Sequence, residues 1–142
     1  MKENGYQLLE CLAVCLLLST MAGLGGSVLG RAVSRYRLEV AAQGLAMELS
    51  ELRAAAVSRK LPLSISVSEC SSKYGFGARG TDASLWRELP RGVSFVTQPR
   101  QPVTFYSRGN AVPAGTYGLS NTAGQCKVVV SPTGRIRWEN LR

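Results

Sequence analysis

The chain has 142 residues, room for one domain plus an appendage, and 45% of them are hydrophobic. Its 17 Lys and Arg against 9 Asp and Glu give a net charge of +8. That balance suits anionic partners (nucleic acid, lipid headgroups, acidic protein patches) and equally a merely well-solvated basic surface. Histidine is absent, which removes the commonest general base, metal ligand and pH switch.

From Cys11 to Gly30 no residue is charged, a run about the length a helix needs to cross a bilayer. Cys11 and Cys15 lie in it one helical turn apart. They lack zinc-site spacing and partner ligands, and read as small apolar fillers. Three N-terminal processing signals compete. A secretory signal would use Lys2 and cleave after Thr20-Met21-Ala22, releasing a basic binding protein. A lipoprotein signal would end at Leu12-Ala13-Val14-Cys15. The third is a short polar leader ending in Gly5, followed by Tyr6-Gln7-Leu8-Leu9-Glu10 and the apolar run. Glu10 decides among them, because a carboxylate at the head of a membrane segment is costly and needs a specific reason.

The third pattern resembles the type IV prepilin processing motif, in which a glycine precedes an aromatic residue and a glutamate stands fifth in the mature chain. The resemblance implies cleavage after Gly5 by a prepilin peptidase and N-methylation of Tyr6, which takes the place of the usual phenylalanine. It also implies that Glu10 pairs with the terminal amine of a neighbouring subunit during assembly. A buried carboxylate and a buried ammonium are each expensive alone, so meeting in register offsets much of the cost.

From Arg31 to about Arg59, Leu38, Ala41, Leu45, Leu49, Leu52 and Ala56 recur at three- and four-residue steps, predicting an amphipathic helix that Pro62 ends. The apolar run and this helix are expected to form one rod with a soft point at Gly23–Gly26. Strands follow. Leu63, Ile65 and Val67 alternate with Ser64, Ser66 and Ser68. Val93 and Phe95 flank Ser94, Val103 and Phe105 flank Thr104, and Arg108-Gly109-Asn110 offers a turn. Thr116–Leu119 is a shorter candidate. Cys126–Val130, a turn at Ser131-Pro132-Thr133-Gly134 and a return over Arg135–Trp138 form the firmest hairpin. The Gly- and Ser-rich stretch Ser71–Ser84 reads as a loop.

The soluble part is similar to the GspH/FimT family of minor pilins and pseudopilins. The likeness rests on the helix end Leu49–Val57, the strand to Cys70, Val103-Thr104-Phe105 before a glycine, and Val128-Val129-Val130-Ser131-Pro132-Thr133-Gly134-Arg135-Ile136-Arg137. It implies an α+β, pilin-like fold: a long N-terminal helix packed on one antiparallel sheet. The divisions would be a leader (1–5), a transmembrane helix (6–30) and an extracytoplasmic globular domain (31–142). The protein would be a single-pass inner-membrane subunit. It would join other subunits in a type IV pilus or type II secretion filament, in a priming or tip role. Neither a cofactor nor a metal is implied.

In members of the family associated with natural transformation, a Gly-Arg-x-Arg stretch contributes to DNA binding, which here falls on Gly134, Arg135 and Arg137. On a strand the two arginines would share a face about 7 Å apart, close to the phosphate spacing of one DNA strand. Lys127, Arg142 and Arg108 would widen such a patch, without sequence specificity. The plain alternative is an outward strand face with Ile136 and Trp138 turned inward. Closing the hairpin at Ser131–Gly134 would also put Val128 and Val130 on the arginines' side. Cys70 and Cys126 are either two thiols or, in an exported domain, one bridge; the resemblance implies the bridge. Nucleophile-elbow, P-loop and metal-cluster patterns are missing from the sequence, so nothing in it points to an enzyme.

Overall fold

The computed structural model describes residues 3–80, 83 and 85–141, the side chains of 3–5 and 22–28 excepted. Arg142 lies outside the described residues. The backbone is helical over Glu3–Arg59 (α1), including Gly23–Gly26. The chain divides into one unit up to Val33 and another from Ser34.

In the first unit the apolar side chains Leu8, Leu9, Leu12, Leu16, Leu17 and Met21 are exposed. The Ser19 hydroxyl donates to the Cys15 carbonyl and Thr20 Oγ1 to the Leu17 carbonyl at 2.8 Å, so both hydroxyls are satisfied by their own helix. The expected membrane span takes in residues 22–28. Among the described residues no helix is long and apolar enough to cross a membrane.

The second unit is built on the predicted stripe of α1. Leu38, Ala41, Leu45, Leu49, Leu52 and Ala56 are buried, each at the three- or four-residue step that keeps them on one side. The helix stops as expected: Lys60 takes a left-handed φ of 55°, and Pro62 follows. The chain then forms nine strands: β1 Leu63–Val67, β2 Lys73–Ala78, β3 Leu85–Glu88, β4 Ser94–Thr97, β5 Thr104–Phe105, β6 Ala111–Val112, β7 Gly115–Asn121, β8 Gly124–Val130 and β9 Ile136–Leu141. They make two antiparallel sheets where one was expected, in the orders β3-β2-β1-β5-β6 and β4-β7-β8-β9. The sheets are joined by main-chain bonds from Phe95 to Ser71 (2.8 Å) and from Ala111 to Pro132 (3.0 Å). Aromatic rings bridge them inside. Tyr74 meets Phe95 edge-on at 6.1 Å, and Phe95 meets Tyr117 at 6.2 Å, each contact adding about 1 kcal/mol beyond area burial.

The stretch read as a loop, Ser71–Ser84, contains β2. Tyr74 and Phe76 alternate with Gly75 and Gly77, and Gly75 is there for close approach. A Cβ on Gly75 would fall 2.5 Å from the Ala83 Cβ and 3.2 Å from the Trp86 ring, so the bare backbone is what lets Trp86 lie over the sheet.

Candidate functional site

Two regions hold the residues singled out above. On α1, Tyr6 and Glu10 are both exposed and four residues apart, so they share a face of the helix. Glu10 takes part in no ion pair among the described residues. Gly5 contributes helical backbone at the same end.

The second region is the β8–β9 hairpin. Ser131 N–H donates to the Arg135 carbonyl (2.9 Å) and Gly134 N–H to the Ser131 carbonyl (2.8 Å), closing a turn with Gly134 at φ 77°. The resulting register pairs Val130 with Ile136, Val129 with Arg137, Val128 with Trp138 and Lys127 with Glu139. This corrects the expected facing. Val128 and Val130 are buried on the side of Ile136 and Trp138, while Arg137 stands outside with Val129 and Lys127. The extra residue at Arg135, which belongs to the turn and not to the strand, shifts the pairing by one and so turns the valines inward. Arg135 and Arg137 are both exposed.

Gly134 has a different role from the arginines. It is buried, and a Cβ there would stand 1.9 Å from the Gly109 carbonyl oxygen and 2.8 Å from Arg53 Nε. Arg53 Nε in turn donates to that carbonyl at 2.9 Å. The glycine seats the hairpin against the 106–110 turn and the helix. The same contact brings the turn carrying Arg108 against the turn carrying Arg135. Lys127 is committed to Glu139 at 2.9 Å, and its ammonium holds the Glu139 carboxyl below the usual carboxylate range. Its charge is therefore partly offset before any ligand arrives.

Cys70 and Cys126 are free, and the expected bridge is not formed. Cys126 is buried in β8, its thiol donating to Asn140 Oδ1 at 3.6 Å. Burial, with Glu39 nearby, pushes that thiol up. Cys70 is exposed beyond β1. From its neighbour Ser71 the ladder steps to Phe95, Leu119 and then Cys126. Three strand spacings amount to roughly 14 Å, against the ~4.4–6.8 Å a bridge requires between Cα atoms.

Sequence reasoning missed two features. Arg87 of β3 pairs with Glu48 of α1, tying the edge strand to the helix across 39 residues, a distance no local pattern reveals. Burial, with Glu48 beside it, pushes the phenol of neighbouring Tyr74 up. The other is an open cleft of about 650 Å³ between residues 97–101 and 113–116, floored by Thr116 and Val129. Among the described residues no group of His, Cys, Asp and Glu is placed to hold a metal.

Comparison with known proteins places this arrangement. A search of curated proteins finds no match. Among solved structures, the type IV minor pilin FimU of Pseudomonas aeruginosa (strain PAO1) is 24% identical, with a TM-score of 0.62 over 74% of this chain and 90% of that one. The minor pseudopilin EpsH from the Type 2 Secretion System of Vibrio cholerae is 13% identical, with a TM-score of 0.59 over 73% of this chain and 97% of that one. Both likenesses establish the pilin-like fold. Residues 41–134 match the family described as Type II transport protein GspH, about two thirds of the chain, so the protein belongs to the GspH/FimT family of pilin-like minor pilins and pseudopilins.

Proposed function

We propose that the protein is made as a prepilin, held in the inner membrane by residues 6–30 with its globular domain outside the cytoplasm. It is cut after Gly5 and methylated on Tyr6. It then enters a type IV pilus or type II secretion filament beside other subunits, priming or capping it. The observation that carries this reading is Glu10. It is an exposed carboxylate one turn after Tyr6, without an ion-pair partner among the described residues, at the head of an uncharged run. Such a group has its reason in a cation brought by another chain. N-terminal mass analysis tests it. The mature chain is expected to begin at methylated Tyr6; an uncut leader in cells holding the peptidase, or a start at Gly23, overturns it. Glu10→Gln is expected to be processed normally and to lose filament incorporation at least about tenfold, the weight of one charged contact.

A second reading, DNA binding at the hairpin, is supported by the register that leaves Arg137 outside with Arg135 exposed beside it. Arginine forks suit phosphate oxygens. A gel shift with the full chain in detergent is expected to show low-salt binding that Arg135→Ala with Arg137→Ala removes. Binding untouched by the double change ends this reading.

A further inference from the structure

β7 begins at Gly115, yet β4 pairs with it only from Gly118 to Ser120, with Thr97 as its last partner. The register shifts between Phe95 and Thr97, and Val96 is thrown outward, 60% exposed. Such an irregularity bends a strand away from its neighbour. The chain then leaves the sheet through Pro99, which packs so close to Gly115 that a Cβ there would stand 2.7 Å from the Pro99 Cγ. The β4-side edge of Gly115 and Thr116, both half-buried, is left without a strand, and no described loop donates to it or accepts from it through the main chain, whereas Tyr117 beyond them is buried. The cleft of about 650 Å³ lies at this open edge.

The cleft's chemistry is one-sided. Its lining contains Arg100 and no Asp or Glu. Arg137 pairs across from Val129, the floor residue, and extends the same outer face with a second positive charge. Pro99, Pro113 and Pro132 line the walls and have no N–H to offer, which leaves fewer main-chain donors to compete with the β7 edge. An unpaired strand edge recruits an extended chain through main-chain bonds, and flanking groups then select its side chains.

We propose that this cleft takes an extended peptide segment of another polypeptide as an added strand on β7, with a carboxylate of that segment held by Arg100. Two open residues, Gly115 and Thr116, accommodate about 7 Å of extended chain, so the site reads a short stretch. The inference stands on the strand edge and the cleft, and does not depend on leader processing or on DNA binding.

The test titrates the full-length, ¹⁵N-labelled protein in detergent micelles with a blocked pentapeptide of alternating valine and threonine around a central glutamate. Amide shifts are expected at Gly115–Tyr117 and along 97–101. Peptide N-methylated at alternate amides cannot form the ladder and is expected to leave these shifts unchanged from the free protein. Arg100→Glu is expected to weaken binding at least about tenfold. The proposal is overturned if millimolar peptide moves none of these amides, or if the N-methylated peptide binds as well as the parent. It is equally overturned if an oligonucleotide occupies the cleft and the peptide does not. The N-methylated arm leaves the protein unaltered, so the test stands even if Arg100→Glu perturbs folding.

Discussion

Gly134 shows how one atom decides the reading of a motif. In the string Gly-Arg-x-Arg the glycine looks like part of a binding sequence, yet its place against Gly109 and Arg53 makes it a seat for the hairpin. Gly134→Ala adds a Cβ where the Gly109 oxygen already lies, at a φ that disfavours side chains. It should cost about 3 kcal/mol, read as a lower denaturation midpoint. Any ligand lost with it would be lost through folding, whereas Arg135→Ala and Arg137→Ala should leave the midpoint nearly unmoved, both side chains being exposed. The cysteines separate in the same way. Cys70 is exposed, while Cys126 is buried with its thiol pushed up by burial. Maleimide should label Cys70 in the native protein and Cys126 only after unfolding, because the thiolate is the reactive form. A bridged pair would label at neither.

At the scale of elements, what the sequence made legible was local and periodic. The buried stripe of α1, the strand β1 and the β8–turn–β9 hairpin follow from spacings of three, four and two residues, and each is present, although in β1 Ser64 is buried beside Ile65 and the inward–outward alternation is not kept. What escaped lay in contacts between distant segments. β2 was hidden because Gly75 and Gly77 resemble loop residues until Trp86 is seen lying over Gly75. β3 shows no buried face at all, being an exposed edge held by Arg87 to Glu48 and by Lys73 to Glu88 at 2.6 Å. The facing of the arginines escaped because a single turn residue, Arg135, sets the register. Gly75→Val tests the account of β2. It should displace Trp86, lower stability by about 2 kcal/mol and shift the tryptophan fluorescence to the red. Unaltered emission would mean that the close contact is not what orders β3.

Across the whole molecule, the basic excess leaves each acid valuable. Glu88 and Glu139 are held below the ordinary carboxylate range chiefly by hydrogen bonds from Lys73 and Lys127. A carboxyl with a lowered folded pKa adds stability above its unfolded pKa and surrenders it as pH falls through the folded value. Stability should therefore decline as pH drops through and below the carboxylate range, and Lys127→Ala should flatten part of that decline in melts taken across it. The effect is small for each pair, because both are exposed to solvent. A steeper fall in the variant would count against the pairing. The same basic excess explains why composition alone left the partner open: charge names a class of partner, and only the register and the cleft say where one could rest.

The contact of Arg53 with the Gly109 carbonyl has a mechanical side. Arg53 belongs to α1, and Gly134 rests on the carbonyl that Arg53 grips. A pull on this part of the helix thus reaches the turn that carries Arg135 through one guanidinium and one peptide group. Within the unit from Ser34 onward, the hairpin turn is therefore strapped to its helix by a single polar clasp, and loosening Arg53 would free both turns together.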